Sequence, residues 1–197
     1  MIPIILLLSP ISFFLTFRRK DKTMEQLRMT FPLEYLDALS IPDPPEGFEL
    51  RTSKAGEEQA YADLMLAAGF DNWTVDLAAQ VVSASSLPEG IFFAVERATG
   101  RLAGTAMANR PDAIGHQMGW VAVHPEFRGK GLARLVSSAA LNRFKAENCT
   151  LIYLLTDDFR KNALRLYLRM GWRPWMPDCC DDTHPARWEA IHKELGI

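Results

Sequence analysis

Residues 118 to 140 limit the fold more tightly than any other stretch of the chain. The run Met118 to Val123 is apolar on both alternating faces, with Gly119, Val121 and Val123 on one and Trp120 and Ala122 on the other. That pattern belongs to a central strand covered on both sides. Four residues later comes Arg128-Gly129-Lys130-Gly131, and then Leu132, Leu135, Val136, Ala139 and Ala140 recur at helical spacing, with Arg134, Ser138 and Asn142 opposite. A buried strand that passes to an amphipathic helix through two glycines directs several backbone N–H groups, and the positive end of the helix dipole, into one small space. The glycines let the backbone wrap closely around an anion, and Arg128 and Lys130 add charge at its rim. The ligand expected there is a phosphate compound.

The rest of the chain supplies a sheet around that unit. Strands are expected at Phe48 to Thr52, Ile91 to Val95, Leu102 to Ala108 and Leu151 to Leu155, and helices at Glu57 to Ala68 and Val75 to Ser83. Ala98-Thr99-Gly100 is short enough to close an antiparallel hairpin. Ala163, Leu166, Tyr167 and Met170 form the stripe of a later helix, ended by Gly171. A hairpin followed by strand, helix, strand, helix indicates a mixed α/β sheet.

Two phosphate-binding patterns are excluded. Gly131 follows Lys130 with no hydroxyl next, which rules out a nucleotide triphosphatase loop, and Arg134 stands where the dinucleotide pattern needs its third glycine. The residues Val121 to Ala133 instead resemble the acetyl-CoA signature of the GNAT superfamily of N-acetyltransferases, Arg/Gln-x-x-Gly-x-Gly/Ala, with Arg128, Gly131 and Ala133 in its fixed places. Asn162 to Trp172 resembles the later helix of the same family through its Asn, Leu-Tyr and Gly-aromatic landmarks. Two motifs in the right order and on the right elements are far more specific than either alone. The resemblance covers roughly Phe48 to Trp175.

It implies a mostly antiparallel twisted sheet with a splayed central strand pair and flanking helices. It implies acetyl-CoA as co-substrate, its pantetheine arm paired with the backbone of Trp120 to Val123, including Val121 and Val123. The pyrophosphate would lie on the amides of Arg128, Gly129, Lys130, Gly131, Leu132 and Ala133. Asn162 would contact the cofactor arm and Tyr167 would be the general acid for the departing thiolate. The reaction implied is acetyl transfer to a primary amine of a small molecule or peptide by direct attack in a ternary complex; an acyl-CoA-binding module without turnover is the alternative. No base is assigned. Gly119 stands where family members often carry a Glu or another polar group, which leaves Gln117, His116, Asp157 and Asp158 as weaker candidates. Phe70, Trp73 and Trp120 are expected near the acceptor.

Three segments complete the reading. Residues 1–23 hold an apolar run, Ile2 to Phe17, followed by Arg18, Arg19 and Lys20. This is either a short anchor that contacts a membrane from the cytoplasmic side or an extension with Met24 as the true start. Residues 24–45 read as a lead-in with one helical piece, Phe31 to Leu39, and a Pro-rich linker; residues 46–197 read as the acetyltransferase domain. In the tail, Cys179 and Cys180 with His184 match no common zinc spacing, so no metal is expected. Pro185 suits a first helical position, and Trp188, Ile191 and Leu195 give that helix an apolar face. A formal net charge of −2 gives no general attraction to nucleic acid, and three cysteines without a disulfide framework fit the cytoplasm.

Overall fold

A computed structural model describes residues 25–111, 115–177 and 180–196; the apolar segment read as anchor or extension lies outside the described residues. In chain order the elements are β1 (Leu27–Thr30), β2 (Phe48–Thr52), α1 (Glu58–Ala67), α2 (Val75–Ser83), β3 (Ile91–Glu96), β4 (Leu102–Asn109), β5 (His116–Val123), α3 (Leu132–Arg143), β6 (Ile152–Thr156), α4 (Lys161–Arg169), β7 (Arg173–Pro174) and α5 (His184–Leu195). The strands form one mixed sheet in the order β2-β3-β4-β5-β6-β1-β7, antiparallel except for the β5–β6 pair. None of the described helices is long and apolar enough to cross a membrane.

Each face of the sheet carries its own core. Tyr61, Met65, Trp73, Leu77 and Val81, from α1, α2 and the loop between them, pack on Ile91, Phe93, Val95 and Met107. Thr74 starts α2 by accepting a hydrogen bond from the Leu77 N–H at 3.1 Å, the cap a hydroxyl residue at that position supplies. On the other side α3 sends Leu132, Leu135, Val136 and Ala140 against Ala94, Ala106, Ala108 and Met118. The facing residues of β4 are small, so the helix can approach the sheet closely and fill the space without voids. β4 is buried along its whole length, as a strand covered on both faces must be.

The segment expected to be lead-in and linker contributes more than that. Leu27 and Met29 are fully buried, and β1 lies between β6 and β7, with Leu27 opposite Thr156 and Met29 opposite Pro174. Four residues are too few for alternation to announce a strand without its neighbours. The expected helix over Phe31 to Leu39 is reduced to a single 3-10 turn, Leu33–Tyr35, because Pro32 leaves the chain extended before it.

A second correction concerns the faces of β5. Ala122 pairs with Thr105 and Gly119 with Met107, so Trp120 and Val121 together oppose Ala106. This is a β-bulge, and Trp120 takes the left-handed backbone conformation, φ 50°. The extra residue reverses the alternation. Met118 lies in the α3-side core together with Val121 and Val123, whereas Trp120 and Ala122 join the α1–α2 side. Gly119, opposite Met107 of that second core, therefore shares the α1–α2 face, not the face of Val121 and Val123.

Candidate active site

The parallel pair β5–β6 is joined only at its beginning, where His116 pairs with Ile152 and Gln117 with Tyr153. Beyond Gln117 the pairing stops, while β4 stays bonded to β5 as far as Val123 and β1 to β6 as far as Thr156. The sheet therefore parts at its centre, and the backbone edges of β5 and β6 that face each other there are left without strand partners. Unpaired strand edges accept an extended ligand through main-chain hydrogen bonds.

At the far end of β5 the chain makes a 3-10 turn, Pro125–Phe127, and enters α3 through the glycines. Gly129 and Gly131 have φ of 80° and 81°, which residues with a Cβ rarely adopt. Gly131 is the residue before α3 and offers no side-chain cap; the helix bonds begin with the Leu135 N–H donating to the Gly131 carbonyl at 3.1 Å. The N–H groups of Leu132, Ala133 and Arg134 thus have no carbonyl within the helix to bond. A Cβ built on Gly129 or Gly131 would meet no protein atom within 4 Å, so protein packing does not explain the two glycines. What demands them is the backbone conformation.

The two expected cations separate in this loop. The Lys130 ammonium lies over the rings of Phe48 and Phe127, 5.2 and 5.6 Å from their centres. Arg101 sits over Phe127 as well and pairs with Glu126 at 2.9 Å. Arg128 is exposed and has no acidic partner among the described residues. The Lys130 ammonium is thus turned onto the rings, while the Arg128 guanidinium is presented to solvent.

Across the opening, α4 places Tyr167 and Asn162 differently. Tyr167 is 6% exposed, its ring 6.1 Å from that of Trp172, and burial pushes its phenol well above the usual range. The hydroxyl stays protonated at any working pH, as a proton donor requires. Asn162, in the first turn, is exposed. Five residues apart on a helix, the two do not share a face. Arg160, the residue just before α4, lies near enough to Tyr167 for its charge to oppose the effect of burial on the phenol. Its guanidinium lies 4.3 Å above the centre of the Phe70 ring and its Nε donates to Asp157 at 3.1 Å. The sequence reading does not single out Arg160, because its partner Phe70 comes from a distant loop.

Phe70 continues into an aromatic row. Its ring is 6.2 Å from Trp120, Trp120 is 5.0 Å from Trp73, and Trp73 is 4.9 Å from Tyr61. Trp73 is buried core, but Phe70 and Trp120 are half-exposed. The wall is thus built from the loop between α1 and α2, from the bulge of β5 and from the lead into α4. A Cβ at Gly119 would point into open space beside it.

Of the weaker base candidates, Gln117 pairs with Asn109 and Tyr153 at the joined end of the sheet, His116 is buried and the two aspartates are held by arginines. His116 is buried, stacked edge-on against Phe144 at 5.5 Å, and held below the ordinary histidine range by burial and then by Arg110. It lies with Met118 on the α3 side, at the closed end of the strand pair. Asp158 is gripped by both arms of Arg187, which lowers its pKa, and Asp157 accepts from Arg160 and from Gln26.

Comparison with known proteins agrees with this architecture. Residues 49–172 match the model of the acetyltransferase (GNAT) family. The chain is 34% identical over 164 residues to a mycothiol acetyltransferase of Thermobispora bispora, covering 77% of this chain and 54% of that one. It is 31% identical over 169 residues to a mycothiol acetyltransferase of Thermomonospora curvata, covering 81% and 55%. The chain spans about half the length of these curated relatives. A GCN5-related N-acetyltransferase from Sphaerobacter thermophilus has the same fold, with a TM-score of 0.64 at 22% identity over 78% of this chain and 50% of that one. On the strength of the family match and the fold together, this chain belongs to the GNAT family of acetyltransferases.

Proposed function

We propose that the protein moves an acetyl group from acetyl-CoA to the primary amine of a small molecule, with both bound at once in the parted centre of the sheet. The observation that carries this reading is the continuity of the two features: the unpaired edge of β5 runs directly into the N–H cradle that opens α3. An extended thioester arm fits along Val121 and Val123, and its pyrophosphate fits over Arg128, Gly129, Lys130, Gly131, Leu132 and Ala133. Acetyl-CoA supplies the activated acyl group. The chain supplies the alignment, and once a neutral amine is held against the thioester, proximity accounts for much of the rate.

Tyr167 gives its proton to the thiolate sulfur as the carbon–sulfur bond breaks. Asn162, on the opposite side of α4, serves the outer part of the arm. Phe70 and Trp120 form the acceptor side, and the space above Gly119 belongs to the acceptor amine. No side chain takes the amine's proton; it passes to water. The small-molecule acceptor class draws support from the mycothiol acetyltransferases to which the chain is related.

The test is release of free thiol from acetyl-CoA across a panel of small amines that includes the acceptor of the mycothiol acetyltransferases, run beside direct measurement of CoA binding. Turnover with one class of small amine supports the reading. CoA binding without turnover on any amine would show a binding module instead, and turnover on peptides alone would move the acceptor to that class.

A further inference from the structure

We propose that Glu25, Cys180 and His184 form a binding site for a divalent transition-metal ion of the zinc class. His184 stands in the first turn of α5 and is 0% exposed, and neither of its ring nitrogens has a hydrogen-bond partner. A buried imidazole with both nitrogens idle is costly, and folded proteins leave few such groups. Glu25 Oε2 lies 3.9 Å from His184 Nε2. That is too far for a hydrogen bond and close to the ~3.3–3.8 Å that separates two ligands on a tetrahedral ion bound at ~2.0–2.3 Å. The Cys180 sulfur completes the group, and the three ligand atoms all lie within 4.8 Å of one another. One nitrogen, one sulfur and one carboxylate oxygen suit zinc and its neighbours better than magnesium or calcium, which take oxygen alone.

The surroundings already hold the carboxylate in place. Arg28 binds its Oε1, and the Asp181 N–H donates to Oε2 at 3.1 Å, which still leaves that oxygen a lone pair. Outer contacts of this kind fix a ligating carboxylate. Arg187 donates to the Glu25 carbonyl at 2.9 Å, but its own charge is matched by Asp158. Three protein ligands leave a fourth position for water. The spacing within residues 179–184 could not reveal the site, because one ligand comes from the residue two places before β1. An ion there fastens the entry into the sheet to the start of the last helix.

The experiment uses the full chain freed of metal by a chelator and titrated with cobalt(II) alone. We expect one equivalent to bind with the visible absorption of a tetrahedral ion and a near-ultraviolet thiolate-to-cobalt band, both displaced by zinc. Cys180→Ser should abolish the thiolate band. Glu25→Gln and His184→Gln should weaken cobalt binding at least ~10-fold, and Cys179→Ser should leave the spectrum unchanged. The half-buried Cys180 keeps the test sound where replacement of buried His184 unfolds the protein. Absence of a cobalt spectrum, or a thiolate band that persists in Cys180→Ser, would overturn the site.

Discussion

The glycine loop that follows β5 and the aromatic wall at the bulge within β5 are made in opposite ways. The loop is seven consecutive residues, 128–134, that present backbone: two glycines at positive φ and three N–H groups, of Leu132, Ala133 and Arg134, with no carbonyl within the helix to bond. The wall is made of side chains from three separate places, Phe70, Trp120 and Arg160, brought together at 4.3 to 6.2 Å. A site built from local backbone tolerates little change, since its shape is its function. A site built from distant side chains can exchange any one of them and accept a different molecule, which is how one fold serves many acceptors.

The largest expected effect tests where the amine's proton goes. With the amine's proton passing to water as proposed, log kcat/KM should rise with unit slope, roughly tenfold per pH unit, until the acceptor's own pKa. A plateau between pH 5 and 7, measured across acceptors of different basicity, would reveal a base in the wall. Next comes Tyr167→Phe, which keeps the ring and its packing; kcat should fall ~100-fold with CoA affinity intact, as befits a contact made mainly in the transition state. Wild-type turnover in that variant would assign the proton to water.

The loop and the wall are then separated directly. Gly131→Val forces a β-branched residue to φ 81° and places a side chain where the ligand should pass. CoA affinity measured by calorimetry should drop at least ~10-fold, about 1.4 kcal/mol, with the acceptor's KM little changed. Trp120→Ala should do the reverse: one ring contact is worth ~0.5–1.5 kcal/mol, so the acceptor's KM should rise about two- to tenfold while CoA binds as before. Loss of CoA affinity in Trp120→Ala would show that the bulge shapes the cofactor side too. The smallest effect distinguishes the two cations of the loop. Arg128→Gln should weaken CoA binding by up to ~5-fold, in keeping with an exposed charge pair. Lys130→Gln, whose ammonium lies over Phe48 and Phe127, should change it less than ~2-fold.

The same division decides what could be read from the amino acids alone. The strand, the glycine turn and α3 are contiguous, so their periods and the positive-φ demand of Gly129 and Gly131 were legible, and α2 occupies the expected Val75 to Ser83. The place of Tyr167 on the buried stripe of α4 was legible in the helical spacing. β1 was not, because it pairs with β6 and β7, which arrive more than a hundred residues later. Arg160 was missed because a charged residue before a helix reads as an ordinary solvated end, and only the fold sets Phe70 beneath it. Trp120 with Ala122 and Val121 with Val123 fall on the expected faces of β5, but Gly119 does not, since strict alternation has no place for an inserted residue.

That inserted residue has a consequence for anyone who carries roles from one relative to another. At Trp120 the strand changes phase, so a position counted back from Val121 by twos lands on the wrong side of the sheet. An alignment that places its gap one residue to either side of the bulge would exchange the residue above the acceptor for one buried under α3. Across this strand, sequence columns are safe guides to chemistry only when anchored on the pairing of Met107 with Gly119 and of Thr105 with Ala122.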